Sequence, residues 1–146
     1  MPVKGLLSSL GYIMMAGGVA ALLLEHAVVS AAPAVIACQV LAVRLMLWAR
    51  LTFGRRSFHL TATPTQGGLV TSGPYRFIRH PIYSSVCLFA WASSLGHPSA
   101  LTVAMAALVS LGAWLRIGTE ESLLLVVYPE YAAYAAKTKR VVPFVL

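Results

Sequence analysis

The chain has 146 residues, of which 59% are hydrophobic and 10% charged, and eleven Lys/Arg against four acids give a formal net charge of +7. The length suits one domain, residues 1–146, and the apolar fraction exceeds that of an ordinary soluble domain, so much of the surface is expected to face lipid. The basic residues cap apolar segments instead of forming a stripe, which is the positive-inside pattern and speaks against a nucleic-acid partner.

Residues 5–24 carry no charge and lie between Lys4 and Glu25. At ~1.5 Å per residue this run reaches about 30 Å, one bilayer core. Ala16/Ala20 and Gly17/Ala21 form small-xxx-small steps, which suit close helix packing. Val29-Ser30-Ala31 resembles a signal-peptide cleavage site, but the run is longer than such a segment needs, so a retained span is expected. A second apolar run over residues 31–49 contains Gln39 and Arg44. Trp48 and Arg50 mark its interfacial end, and snorkelling accounts for Arg44 near that end. Cys38 and Cys87 sit inside apolar runs, and no CxxC or Cys/His cluster exists, so neither a metal site nor a disulfide framework is expected.

The connection 49–80 is polar, with Arg50, Arg55, Arg56, Arg76 and Arg79, and its section 61–68 reads as irregular loop. From Pro81 to Leu115 there is again no Lys, Arg, Asp or Glu. That is too long for one span and fits a helical hairpin, arms 81–95 and 99–115, broken at Gly96-His97-Pro98. Beyond Thr119, Leu123, Leu124, Val127, Tyr131 and Tyr134 recur near helical spacing, which predicts an interfacial or cytoplasmic helix. The fold class is therefore an all-α integral membrane protein with about four transmembrane helices, a helical hairpin and a C-terminal helix. Lys4, the 49–80 connection and the 116–146 tail are basic, whereas the connections near Glu25-His26 and Gly96-His97-Pro98 lack Lys and Arg. Both termini are thus expected in the cytoplasm, which brings the two ends of the hairpin arms together there.

Those ends hold the polar residues. Pro81 is a good first helical residue, and His80 precedes it where exposed N–H groups favour an anion; Arg76 and Arg79 add positive charge. Arg116 and Glu120 share a face if the helix runs on through Gly118-Thr119; otherwise Thr119 caps a new helix with the two glutamates in its first turn. Three of the four acids, Glu120, Glu121 and Glu130, fall in this terminal segment.

Leu69-Val70-Thr71-Ser72-Gly73-Pro74-Tyr75-Arg76 followed by Arg79-His80-Pro81-Ile82-Tyr83 resembles the first signature of the isoprenylcysteine carboxyl methyltransferase family. Arg116-Ile117-Gly118-Thr119-Glu120-Glu121, with Tyr131, Tyr134, Arg140 and Pro143, resembles the second. Ser85 and Tyr128-Pro129 depart from the family's pattern, and related phospholipid and small-thiol methyltransferases share much of it. The resemblance implies S-adenosylmethionine held by segments 67–83 and 116–143, with Leu69, Val70, Tyr75, His80, Pro81, Ile82, Tyr83 and Glu120 at the cofactor and Arg116 facing the methyl acceptor. The product would be S-adenosylhomocysteine. The chemistry of the residues agrees, since an α-carboxylate suits the helix start and a sulfonium and amine suit tyrosine faces and Glu120.

The expected reaction is in-line methyl transfer to a lipophilic acceptor entering from membrane lipid, first of all a carboxylate of the isoprenylcysteine type, in the plasma (inner) membrane of a prokaryote. A thiol or amine acceptor would need deprotonation, for which Glu121 is the candidate base. The alternatives are the same cofactor with a phospholipid amine or small thiol, or a non-catalytic module binding lipid headgroups through Arg76, Arg79 and Arg116.

Overall fold

The structure, a computed structural model, describes residues 2–54 and 68–142; Arg55, Arg56, most of the expected loop 61–68, and Pro143 lie outside the described residues. The described chain is helical: α1 Pro2–Leu24, α2 Pro33–Phe53, α3 Pro81–Gly96, α4 Ala100–Val127 and α5 Tyr131–Lys137, with a 3-10 turn at Gly73–Arg76. Among the described residues three stretches are long and apolar enough to cross a membrane, Val3–Leu24, Pro33–Phe53 and Ala100–Val127. The expected fourth span, α3, has 16 residues, about 24 Å at the usual helical rise and short of a bilayer core.

The hairpin forms where the breaker residues place it. Pro81 opens α3, and the chain turns at His97-Pro98. Ser99 then caps α4: its Oγ accepts from Thr102 N, and Thr102 Oγ1 accepts from Ser99 N, each 3.1 Å. α1 packs along α4 and α2 along α3, so the hairpin is flanked on both sides. At the turn end, Gln39 Nε2 donates to Val28 O (2.7 Å) and Ser93 Oγ (3.1 Å), and His97 Nε2 donates to Val29 O (2.6 Å). Gln39 therefore joins α2 to α3 and to the α1–α2 connection.

The structure corrects three expectations. First, α1 does not pack through Ala16/Ala20 and Gly17/Ala21. A Cβ on Gly17 would meet nothing within 4 Å, whereas one on Gly11 would stand 2.6 Å from Gly112 O and one on Gly112 2.5 Å from Gly11 O. The buried stripe is Gly11, Met15, Gly18 and Leu22, and two glycine backbones cross in contact. Second, α4 runs unbroken to Val127. Thr119 Oγ1 donates back to Leu115 O (3.1 Å) and Arg116 O (2.8 Å) instead of capping a helix. The break comes at Tyr128, held extended (φ −117°, ψ 103°) by the following Pro129, so the expected continuous terminal helix is the end of α4 plus the short α5. Third, α2 extends to Phe53, which leaves Arg44 nine residues from that end, exposed on the face opposite the α3-facing Ala42 and Ala49.

Candidate functional site

At the other end of the hairpin the start of α3 meets the second half of α4. The approach is enforced from outside by the chain after α5. Arg79 N donates to Lys139 O (2.7 Å), His80 N to Arg140 O (3.0 Å) and Lys139 N to Phe77 O (3.3 Å), and Ile78 and Lys139 form a parallel bridge. Ser84 Oγ adds a bond to Val141 O (2.7 Å). This strap occupies backbone groups that would otherwise be orphaned at the head of α3.

Inside the strap lie two adjacent carboxylates with different surroundings. Glu121 is surrounded by donors: Oε1 accepts from Arg79 Nε (2.9 Å) and stands 3.2 Å from His80 Nε2, and Oε2 accepts from Arg140 Nε (3.0 Å). Arg79 also donates to Ala135 O and Thr138 O, which ties α5 to the same carboxylate. The positive charge that Arg79 adds beside His80 is therefore paired internally with Glu121. Arg76 stays outside the cluster, exposed, with its guanidinium 5.3 Å from the Phe77 ring centre.

Glu120 is more open. Its Oε1 accepts from Tyr83 Oη and from Arg116 Nη2 (3.3 Å). Its Oε2 faces His80 Nδ1 at 3.7 Å, too far for a hydrogen bond, and makes none among the described residues. The side chain is 23% exposed, against 10% for Glu121. Arg116, one turn earlier on α4, is 4% exposed. It donates through Nε to Tyr83 Oη (2.7 Å) and through Nη1 to Ser8 O of α1 (3.3 Å). The guanidinium carbon lies 5.5 Å from the Tyr12 ring centre and 5.8 Å from that of Tyr83.

Tyrosines line the strap side. Tyr75 is buried, its ring tilted 40° to that of Phe53 with centres 5.5 Å apart, and its carbonyl accepts from Tyr134 Oη (2.6 Å). Burial pushes the Tyr134 phenol up to about 12, so it remains a neutral donor at any ordinary pH. Tyr131 is 2% exposed. Its hydroxyl, raised above the usual phenol range by burial and then by Glu121, makes no bond of ordinary hydrogen-bond geometry to a described residue. A buried hydroxyl without a partner costs free energy unless a ligand supplies one.

Of the residues singled out from sequence, His80, Tyr83, Arg116, Glu120 and Glu121 form this single cluster, although α3 and α4 contribute them from positions about 40 apart. Pro81 is buried beside them and Ile82 half-buried, while Leu69 and Val70 lie half-buried in the segment before the 3-10 turn. Sequence reading missed Ser8, Gly11 and Tyr12 of α1 and the bracing roles of Arg79 and Arg140. Nothing in an apolar helix marks which turn will touch a buried arginine on another.

A phospholipid methyltransferase family model matches residues 28–131, which include α2, α3, α4 and most of the cluster. The chain belongs to the phospholipid methyltransferase family. That family lies within the isoprenylcysteine carboxyl methyltransferase-like superfamily of membrane methyltransferases, so the resemblance in the two sequence signatures is to the right superfamily, and the chain is a membrane protein. A stretch of 78 residues is 38% identical to the cobalt-zinc-cadmium resistance protein CzcN of Cupriavidus metallidurans, covering 51% of this chain and 35% of that protein. The chain thus spans about a third of the length of this relative. No solved structure matches it.

Proposed function

We propose that the chain is an S-adenosylmethionine-dependent methyltransferase that modifies a lipophilic acceptor at the cytoplasmic rim of the membrane. The observation that supports this reading most is the convergence of His80, Tyr83, Arg116 and Glu120 on one polar cluster at the end of otherwise apolar helices. A membrane chain does not gather buried charge without use for it. The distribution of Lys and Arg supports cytoplasmic termini and hence a cytoplasmic cluster.

The residues present fit the cofactor. Glu120 keeps a carboxylate oxygen that no described residue hydrogen-bonds, open to a cationic amine, and the buried Tyr131 hydroxyl has no partner of ordinary geometry among the described residues. When bound, S-adenosylmethionine supplies a methyl group activated on a cationic sulfonium. The head of α3, beside His80, would receive its carboxylate, and Leu69, Val70, Tyr75, Pro81, Ile82 and Tyr83 would wall it. Arg116 and Tyr83 hold the Glu120 carboxylate in place, so their contribution is orientation. The apolar flanks of α3 and α4 exclude water, which favours a step that discharges a cation. Glu121, proposed from sequence as a base, has both oxygens committed to Arg79, His80 and Arg140; that favours bracing over proton transfer.

For the acceptor, family membership favours a phospholipid amine. The isoprenylcysteine-type carboxylate is the second reading, favoured by a guanidinium beside the cluster. One assay separates them: methyl transferred from labelled donor in native lipid is released by base from an ester and retained on an amine. Calorimetry tests the cofactor itself. His80→Ala and Glu120→Ala should each weaken S-adenosylmethionine binding in folded, membrane-inserted protein. Wild-type affinity in both variants, or a wild type that binds anionic lipid but not the cofactor, would refute the reading.

A further inference from the structure

Tyr12 stands in an unusual place for a lipid-facing tyrosine. Such residues mark the membrane interface, where the hydroxyl reaches water. Tyr12 instead lies nine residues into the 22-residue span Val3–Leu24, near its middle. It is 43% exposed, and no described residue bonds its hydroxyl. Its ring covers the guanidinium of Arg116, itself 4% exposed, with 5.5 Å from the ring centre to Cζ.

The ring is held there by its neighbours on α1. Gly11 lets α1 approach until a Cβ at that position would be 2.9 Å from Arg116 Cγ and 2.6 Å from Gly112 O. One turn earlier, Ser8 O accepts from Arg116 Nη1. α1 therefore touches Arg116 with three successive side-by-side elements: a carbonyl, a bare Cα and an aromatic face. Beyond Arg116 come Tyr83, at 5.8 Å, and Glu120. Tyr12, Arg116, Tyr83 and Glu120 form an unbroken polar series that leads from the lipid surface to the open carboxylate. Arg116 and Tyr83 are buried and Glu120 half-buried, so Tyr12 is the exposed member of that series.

We propose that Tyr12 is the acceptor-side residue of the site: a lipophilic acceptor reaches Arg116 and Glu120 along the face of its ring, and its exposed hydroxyl meets the polar head of that acceptor on the way. This rests on the methyltransferase reading above. α1 would then be part of the active site, although residues 1–27 precede the family match. Tyr12 governs the acceptor and leaves the donor untouched, because it meets the cluster through the Arg116 guanidinium.

The test compares wild type, Tyr12→Phe and Tyr12→Ala in nanodiscs, with labelled S-adenosylmethionine and two acceptor probes, phosphatidylethanolamine and an S-prenylated N-acetylcysteine. Donor affinity is measured separately by calorimetry. Tyr12→Ala should raise the KM for the acceptor about tenfold while donor Kd stays within about twofold, and Tyr12→Phe, which keeps the ring, should fall between. An unchanged acceptor KM in Tyr12→Ala, with wild type turning over, overturns the assignment of Tyr12 and leaves the function standing. Equal losses of donor and acceptor affinity would show a packing role and also overturn it. A wild type that binds donor yet methylates neither probe removes the acceptor reading and this inference with it.

Discussion

The two ends of the α3–α4 hairpin solve the same problem with different chemistry. At the turn end amide, imidazole and hydroxyl side chains pair with one another and with nearby carbonyls: Gln39 with Val28 O and Ser93, His97 with Val29 O, Ser99 with Thr102. At the other end the cluster is built on charged side chains: one carboxylate, Glu121, takes two arginines and a histidine, while its neighbour Glu120 leaves one oxygen without a hydrogen bond among the described residues. Pairs that satisfy each other fasten helices and need no ligand. A charged cluster with residual capacity spends stability on a binding site, and Glu120 and Tyr131 are where that capacity remains.

The contrast breaks first at Glu121. Glu121→Ala would strand a buried His80, a half-buried Arg79 and the more exposed Arg140 around an empty position. Removing one partner of a buried ion network costs about 3–5 kcal/mol, so the variant should lose much of its thermal stability in nanodiscs along with all activity. Because Arg79 also holds Ala135 O and Thr138 O, proteolysis should detect a loosened α5 and strap. A variant with wild-type melting would mean the network is decorative.

Glu120→Gln sharpens the difference between the neighbours. The amide keeps the shape and accepts from Tyr83 and Arg116 but cannot balance a bound cation. Loss of one charge-assisted contact is worth about 1.5–3 kcal/mol, so S-adenosylmethionine affinity should fall roughly ten- to a hundredfold. The melting temperature should fall much less than in Glu121→Ala. If the two variants behave alike, the open and closed carboxylates are not functionally distinct.

A pair of glycines tests the α1 side of the cluster. Gly11→Ala places a methyl against Gly112 O and Arg116 Cγ, with backbone as the obstacle, so overpacking of about 1–3 kcal/mol is expected. Gly17→Ala, in open space, should be neutral or should stabilise α1 by up to about 1 kcal/mol, because alanine is the better helix former. Equal effects at the two positions would contradict the observed face of α1.

Those glycines also show where the sequence was readable and where it was not. The hairpin, its break at Gly96-His97-Pro98 and the meeting of His80 with Glu120 follow from breaker residues, charge placement and antiparallel geometry, all local or topological signals. The phase of α1 does not, because its accessible and buried faces are alike apolar; small residues occur on both, and only the partner decides which set is used. The fate of Arg79 was equally hidden. Its partners Ala135 O and Thr138 O are main-chain atoms, and the strap from Lys139 to Val141 is held by main-chain carbonyls whose positions no side chain announces. Tyr128-Pro129 could be read as a break, since proline disfavours helix at the preceding residue, but a hydrophobic spacing that runs on to Tyr134 masks it.

The smallest effect should come from the turn end. Gln39→Leu keeps the volume of the side chain and removes two hydrogen bonds, leaving Val28 O and Ser93 Oγ without this donor. Within a membrane the alternative partners are few, yet measured bonds between membrane helices are modest, so a loss of about 1 kcal/mol is expected. α2 packs mainly on α3, and Gln39 is its polar tie to that helix, so the loss should appear as looser α2 packing, readable by faster exchange or proteolysis near residue 33. Donor affinity and turnover should not change, because Ser93 stands ten residues along α3 from Tyr83, about 15 Å at the helical rise. If Gln39→Leu altered the acceptor KM as strongly as Tyr12→Ala, the acceptor would enter beside α2 and the division of labour between the two ends would be reversed.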